Sequence, residues 1–398
     1  MANLEADEKT DLQAWLKMVA QLQHAPDWPE AEKPVQMKQT HISVLLLGRK
    51  HVVKLKKPVD FGFLDYTTLH NRQKAVRDEV NLNRRLCRDL YIGYGGVIEA
   101  DGRIGFSGQH GKIVDYCVWM KRLPDERMLD QLVARNEVTE AMIDRIAARL
   151  VEFHRNARRS ADVAKWGSLE EIRHNWDENF AQTEAFIGRT ISAADYEMIR
   201  AWVNQWLATK AEIFNRRVQN WRIVDGHGDV RCESICVTDD EIYIYDCIEF
   251  NDRFRCADVA SEVAFLAMDL DARGRPDLGY FCTEAYQRRT GDSDFFHPAA
   301  VLPLLSRVCA RQGFELPVER TGIRSGRKRC GGAASATLFR ARQTLRHTAS
   351  TTDGHRSDRL TGYGQNLDGA CYRRRAWTPC CVRGCGTTIA VRSGETAR

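Results

Sequence analysis

The chain has 398 residues, of which 43% are hydrophobic and 28% charged, and its formal net charge is +5. This length allows two or three packed units, and the hydrophobic content supports a buried core, which excludes wholesale disorder. No stretch approaches the ~20 apolar residues that span a bilayer, and the acidic start lacks a secretory pattern, so we expect a cytoplasmic protein without membrane partners. The 13 cysteines are scattered, and we expect mostly free thiols.

The positive charge is concentrated near the end of the chain. Residues 306–398 carry 17 Arg, one Lys and six acidic residues, a net charge of +12. The preceding part carries 41 basic and 48 acidic residues, a net charge of −7. A basic tail is one way to bind nucleic acid. A second explanation of its composition, given below, leads us not to expect a nucleic-acid partner.

Residues 1–37 predict a helical extension. Apolar residues recur at helical spacing from Leu12 to Leu22, and three prolines then end the pattern.

Residues 38–123 predict a small antiparallel sheet with one inserted helix. Apolar segments bounded by turn residues indicate strands, and the Asp-Gly pair at 101–102 is a strong hairpin signal. The predicted strand segments are His41–Leu47, His51–Leu55, Val97–Phe106 (a hairpin) and Ile113–Met120. The inserted helix covers Leu69–Leu86 and is polar, with a modest apolar stripe.

Residues 124–304 predict a mainly helical lobe. Periodic apolar residues indicate helices over Ala141–His154, Trp166–Ile187, Ala193–Phe214 and from Asp258, whose side chain can cap the first turn. A strand-rich block, Arg222–Phe250, lies between these helices. The predicted fold class is therefore α+β, with a sheet lobe followed by a mainly helical lobe.

The strand-rich block contains the residues that suggest chemistry. Two apolar strands, Ile235–Val237 and Ile242–Tyr245, flank a polar turn; Asp229 lies on the loop entering this hairpin and Asp246 at its exit. A hairpin returns the chain to its starting point, so we expect these two carboxylates at the same end. Phosphoryl transfer needs such a pair, because one carboxylate orients the accepting hydroxyl and takes its proton, and the other holds Mg²⁺ against the nucleotide phosphates.

The segments His227–Asp229 and Asp246–Arg253 together resemble the aminoglycoside-phosphotransferase family. Three further stretches resemble a bacterial subgroup that carries this domain ahead of a P-loop kinase-like ATPase domain: 40–43, 54–66 and 258–266. The resemblance covers about residues 38–300. It implies a protein-kinase-like two-lobed fold, ATP and Mg²⁺ as partners, and transfer of the γ-phosphoryl group to a hydroxyl of a small molecule.

The same resemblance implies roles at the hairpin. Asp229 would be the catalytic base and Asp246 the principal metal ligand, while His227 would brace the loop by hydrogen bonds. The family's second metal ligand is usually an Asn five residues after the catalytic Asp, and Ser234 occupies that position here. A serine hydroxyl is a weaker donor than an amide oxygen, and the neighbouring Glu233 is an alternative ligand.

The resemblance also implies a nucleotide site on the sheet lobe. Lys54 would bind phosphates and Val52, on the same face of its strand, would cover the base. Glu79 is the candidate partner that orients Lys54, and a solvated helix face is its alternative interpretation. Lys56 and Lys57 compete with Lys54 for the phosphate role, although an exposed basic edge is the simpler reading of both.

The hinge between the lobes is expected at Met120–Leu123, where the backbone of Met120 and Lys121 would meet adenine. The chain departs from the family pattern in a second way: no glycine-rich loop lies between its first strands. The backbone of His41–Ser43 would have to cover the phosphates instead.

Residues 305–398 do not continue the resemblance. No Gly-x-x-x-x-Gly-Lys-Ser/Thr motif is present, so the subgroup's P-loop domain is missing, and Cys380, Cys381 and Cys385 lack zinc-site spacing. An Arg-rich, Lys-poor composition is typical of GC-rich DNA read in a shifted frame. We therefore hypothesise that this tail is an out-of-frame translation of the missing continuation and is mostly disordered.

Two other functions stay open at this point. Ser234 in the place of Asn makes a catalytically silent nucleotide-binding or regulatory module credible. Loss of the native end of the helical lobe would instead give a truncated, non-functional product.

Overall fold

A computed structural model describes residues 9–30, 35–106, 111–189 and 191–295. The predictions for the tail, including its disorder, its shifted frame and its cysteines, lie outside the described residues. Within these ranges no helix is both long enough and apolar enough to cross a bilayer.

Six antiparallel strands form the first lobe. They are β1 (Gln36–Gln39), β2 (Ser43–Leu47), β3 (His51–Lys56), β4 (Tyr91–Ala100), β5 (Arg103–Gly105) and β6 (Lys112–Lys121). Their order across the sheet is β1-β2-β3-β6-β4-β5. The sequence pattern does not predict β1, because its residues are mostly polar; it becomes a strand by pairing along β2 from Gln36↔Leu47 to Gln39↔Val44.

Two helices cover the opposite faces of this sheet. Helix α1 (Leu12–Leu22) is confirmed, and its N-cap Asp11 accepts the amide of Ala14 at 2.7 Å. Its apolar face packs with Val53 and Leu55 of β3. Helix α2 (Leu69–Asn83) packs with Val52 on the other face. Because side chains alternate along a strand, Lys54 lies on the α2 side.

The second lobe is mainly helical. Its helices are α3 (Leu129–Ala134), α4 (Glu140–Asn156), α5 (Ala161–Ala164), α6 (Leu169–Glu184), α7 (Ala193–Thr209), α8 (Ala211–Gln219), α9 (Asp252–Arg255), α10 (Val259–Ala272) and α11 (Pro276–Thr290). Its strands are β7 (Ile223–Asp225), β8 (Ile235–Val237), β9 (Ile242–Ile244) and β10 (Cys256–Asp258). The predicted α+β class, with a sheet lobe before a mainly helical lobe, is confirmed.

The predicted hairpin is the β8–β9 pair, in the register Ile235↔Ile244 to Val237↔Ile242. Its apolar side chains join α4, α10 and α11 in one buried core. Asp258 caps α10 as predicted, since its side chain accepts the amide of Ala260 at 2.8 Å. The ends of the hairpin are therefore fixed by the core of the helical lobe.

Several sequence-based boundaries are wrong: α6 covers Leu169–Glu184 and not Trp166–Ile187, and β4 begins at Tyr91 and not at Val97. The single helix over Ala193–Phe214 is two helices, with a non-helical Lys210 between them. The hydroxyl of Thr209 donates back to the carbonyl of Gln205 at 2.9 Å, and such back-bonding weakens a helix. Helix α2 ends at Asn83, three residues earlier than predicted.

Seven cysteines belong to the described residues, and all are buried free thiols, as expected: Cys87, Cys117, Cys232, Cys236, Cys247, Cys256 and Cys282.

Candidate active site

A buried ion-pair cluster starts at Lys54 on β3. The Lys54 ammonium lies 2.8 Å from Oε1 of Glu79 and 2.6 Å from Oδ1 of Asp246. Glu79 is fully buried, because α2 packs directly on the sheet, so the solvated-face interpretation of Glu79 is wrong. Burial alone would lower the pKa of Lys54, but the carboxylates of Asp246 and Glu79 outweigh it and hold that pKa above its usual range. Lys54 is therefore charged.

Lys56 extends the same cluster. It is 1% exposed, lies 2.7 Å from Oε2 of Glu79 and contacts Glu249. The Tyr66 hydroxyl donates to Glu249 at 2.6 Å. The exposed-edge reading of Lys56 is therefore wrong, and Glu79 bridges two buried ammonium groups. Side chains two residues apart in a strand lie on the same face. This period is the sequence signal that places Lys56 beside Lys54.

Lys57 does not belong to this cluster. Its ammonium donates to the carbonyl of Thr40 at 2.7 Å, beside the β1–β2 connection.

Asp246 lies at the exit of the β8–β9 hairpin. Its φ is +66°, a left-handed conformation that Asp tolerates better than most residues. Its side chain is 51% exposed even though Lys54 holds one oxygen. The positive charge of Lys54, opposed by burial, holds the pKa of Asp246 well below its usual range. Asp246 is thus an ionised carboxylate that faces both the lysine and solvent.

Asp229 forms a two-point ion pair with Arg231. Each carboxylate oxygen lies 2.8 Å from a guanidinium nitrogen. Burial raises the pKa of Asp229 to about 6; Arg231 opposes this shift, and the negative charge of Asp246 adds to it. The carbonyl of Ser234 accepts the amide of Tyr245 at 2.9 Å, which brings the turn after Asp229 beside the hairpin exit that carries Asp246. Sequence reasoning missed Arg231, since nothing in a two-residue spacing predicts the pair.

His227 connects the loop of Asp229 to the chain before Asp246. Its Nδ1 accepts the amide of Asp229 at 3.2 Å, so its Nε2 is the nitrogen that donates to the carbonyl of Tyr245, at 3.0 Å. Burial lowers the pKa of His227, which favours this neutral form. These hydrogen bonds agree with the bracing role that the resemblance implies.

A buried glutamate on α10 anchors residues 226–229, hereafter the 226–229 loop. Glu262 accepts the amides of His227 and, at 2.7 Å, Gly228, and its other oxygen lies 2.7 Å from Nε2 of His154. A Cβ at Gly226 would overlap the Glu262 carboxylate. Sequence reasoning missed this role of Glu262, because nothing local links α10 to a loop more than 30 positions earlier.

Ser234 lies in the turn that follows the loop and is 6% exposed. Its hydroxyl accepts the amide of Arg231 at 3.2 Å and donates to the carbonyl of Arg231 at 3.0 Å. The Glu233 carboxylate pairs with Arg273 at 3.0 Å. The metal-ligand role of Ser234, and Glu233 as its alternative, stay predictions.

Val52 and Met120 are register partners on β3 and β6, and both are buried in the core on the α2 side of the sheet. Lys121 pairs with His51 and is exposed, and its amide donates to the carbonyl of Leu90 at 2.9 Å. Contact of Val52, Met120 and Lys121 with an adenine stays a prediction.

No protein-family model matches the chain. Uncharacterized proteins of Mycobacterium bovis and Mycobacterium tuberculosis are 30% identical to it over 320 residues, which is 80% of this chain. The chain spans 61% of the length of these relatives.

Solved structures with a similar course of the chain include three kinases. A glucosamine kinase complex with glucosamine, ADP and inorganic phosphate is 17% identical, with 82% of this chain and 83% of the other covered, at a TM-score of 0.43. A choline/ethanolamine kinase family protein from Mesorhizobium loti is 10% identical. The match covers 86% of this chain and 97% of that protein, and the TM-score is 0.46. An aminoglycoside phosphotransferase complex with GDP and kanamycin is 12% identical. The match covers 86% of this chain and 99% of that protein, and the TM-score is 0.45. At such low identity, these similarities concern the fold alone.

Proposed function

We propose that the chain is an ATP- and Mg²⁺-dependent phosphotransferase of the aminoglycoside-phosphotransferase type, acting on a hydroxyl of a small molecule. The observation that carries the proposal is the position of Lys54, whose ammonium contacts both Glu79 and Asp246. A lysine held by a helix glutamate beside a metal-binding aspartate is the arrangement with which kinases bind nucleotide phosphates.

The residues present fit a magnesium–nucleotide complex. Among the residues that the structure describes, no group of three or more His, Cys, Asp or Glu side chains forms a ready-made metal site. Mg²⁺ does not need one, because it commonly takes one or two carboxylates together with substrate phosphates and waters. Asp246, ionised and half exposed, suits that role, and Ser234 is the proposed second ligand. Bound Mg²⁺ would neutralise part of the phosphate charge.

The chain's own residues would act as follows. Lys54 binds the phosphates and offsets their charge, while Glu79 keeps its ammonium in position. Asp229, held by Arg231, orients the acceptor hydroxyl and receives its proton. The acceptor oxygen forms a bond to the γ-phosphorus as the bond from that phosphorus to the bridging oxygen breaks, and ADP leaves.

The test is ATP turnover measured against a panel of small hydroxyl compounds. Asp229→Asn should lower turnover about 10²–10⁴-fold, the usual contribution of a positioned general base. The matched control is Asp239→Asn in the hairpin turn, where the side chain is 95% exposed and pairs with Arg127. Equal loss in both variants, or none in either, contradicts the assigned role of Asp229.

A specific observation supports a second candidate, a nucleotide-binding module without turnover. The Ser234 hydroxyl is uncharged and is already engaged by the backbone of Arg231. Nucleotide affinity in the absence of any turnover would select this module over the enzyme. Measurable ATP turnover by the wild-type chain would exclude the module without turnover.

A further inference from the structure

A cavity lined largely by polar side chains lies where the end of α4 approaches α11. Its volume is about 90 Å³, and its lining includes Arg155, Arg159, Arg222, Tyr286 and Thr290. A space of this size suits a few waters or one small polyatomic ion. It is lined by none of the residues assigned above to nucleotide or metal.

The lining of this cavity contains three arginines and no acidic residue. Within the described ranges, neither Arg155 nor Arg159 forms an ion pair with a carboxylate, and Arg222 lies 3.7 Å from Asp292. Both oxygens of Asp292 already bind Arg217, at 3.1 and 3.0 Å. Burial lowers the pKa of Arg159, and the like charge of Arg222 lowers it further, which is consistent with two neighbouring guanidinium groups.

The three arginines differ in how their donors are used. Arg159 donates to backbone carbonyls at the end of α4 and at Trp221, so it serves as a fixed scaffold. Among the described residues, Arg155 donates from one nitrogen, to the carbonyl of Arg289 at 3.1 Å. A guanidinium has five N–H donors, so Arg155 and Arg222 retain donors for a ligand.

Two side chains connect this cavity to the 226–229 loop. His154, in the lining, contacts the Tyr286 hydroxyl through Nδ1 at 2.7 Å and Glu262 through Nε2 at 2.7 Å. Glu262 in turn accepts the amides of His227 and Gly228. A ligand that fixes Tyr286 and His154 would therefore act on the loop that carries Asp229.

We propose that this cavity binds a small oxyanion of the phosphate type through Arg155 and Arg222, and that its occupancy restrains the 226–229 loop through His154 and Glu262. Guanidinium groups match tetrahedral oxyanions in charge and in donor geometry. Binding at this site requires no nucleotide, so the proposal stands or fails separately from the proposed phosphotransferase activity.

The binding test is calorimetric titration of inorganic phosphate into the full, nucleotide-free chain, with ionic strength held constant by sodium chloride. Arg155→Gln and Arg222→Gln should each weaken binding about tenfold or more, the loss of a charge-assisted hydrogen bond. The matched control, Arg77→Gln on α2, removes an exposed arginine from the other lobe and should leave binding unchanged. Absent binding, or equal binding in all four proteins, overturns the site; unfolding curves verify that each variant is folded.

The same titration with glycerol phosphate distinguishes a free from an esterified phosphate, and binding of either at Arg155 and Arg222 supports the site.

The link to the loop is tested by hydrogen exchange of a peptide covering residues 224–230. Saturating phosphate should slow its exchange in the wild type and leave Arg155→Gln unaffected. Unchanged exchange in the phosphate-saturated wild type overturns the proposed restraint.

Discussion

The ammonium of Lys54 lies 2.6 Å from Oδ1 of Asp246, although 192 positions separate the two residues. This pair joins β3 of the sheet lobe to the exit of the β8–β9 hairpin. Its two charges are unequal in exposure, since Lys54 is buried and the Asp246 side chain is half exposed. The solvent-facing side of the pair is where we expect phosphate oxygens and a cation to enter.

Replacing Glu79 should destabilise the fold, because two buried ammonium groups share its carboxylate. We expect Glu79→Gln to lower the free energy of unfolding by about 3–5 kcal/mol, the usual cost of breaking a buried ion pair from one side. Urea denaturation measures this loss. Asp78→Asn, which breaks surface pairs with Lys74 and Arg77 on the same helix, should cost less than about 1 kcal/mol. Similar losses in both variants would mean that the cluster contributes no special stability.

The raised pKa of Asp229 predicts a pH dependence. A general base must be deprotonated to act, so kcat/KM should rise with pH and reach half of its plateau near pH 6, where the pKa of Asp229 lies. Arg231 opposes the upward shift, so Arg231→Gln should move this midpoint to higher pH. A midpoint near 4, or one that moves down in Arg231→Gln, contradicts the assignment.

The contact between Gly226 and Glu262 predicts a loss of activity without a change in any charged residue. The new methyl group of Gly226→Ala would overlap the Glu262 carboxylate and displace the 226–229 loop. A displacement of about 1 Å at a reacting group costs about 10²-fold in rate, and turnover assays measure it. Gly93→Ala is the control, since a Cβ there meets nothing within 4 Å. Full activity in Gly226→Ala would show that the loop position does not matter.

Local patterns predicted the parts of the fold that local chemistry determines. The amphipathic spacing of α1, the apolar strands β2 and β3 and the cap at Asp258 are all found where the sequence places them. The predicted hairpin is also found, as the β8–β9 pair. In each case the signal lies within a few residues of the feature it predicts.

The missed features depend on contacts between distant segments. Glu249 looks like any acidic residue after a strand, and only the packing of α2 and β3 brings Lys56 and Tyr66 to it. Glu262 is likewise an ordinary residue in the first turn of α10 until the loop amides of His227 and Gly228 are placed beside it. Burial of these charges is a property of the tertiary fold, which a single sequence does not display.

The most direct test of the account is binding of ATP with Mg²⁺ to the wild type and to Asp246→Asn, measured by thermal shift. We expect the nucleotide to stabilise the wild type by about 2.7 kcal/mol at a hundredfold excess over Kd, and to leave the melting temperature of Asp246→Asn unchanged. The control variant, Asp239→Asn, should respond as the wild type does. An equal shift in Asp246→Asn, or no shift in the wild type, contradicts a magnesium–nucleotide site at Lys54 and Asp246.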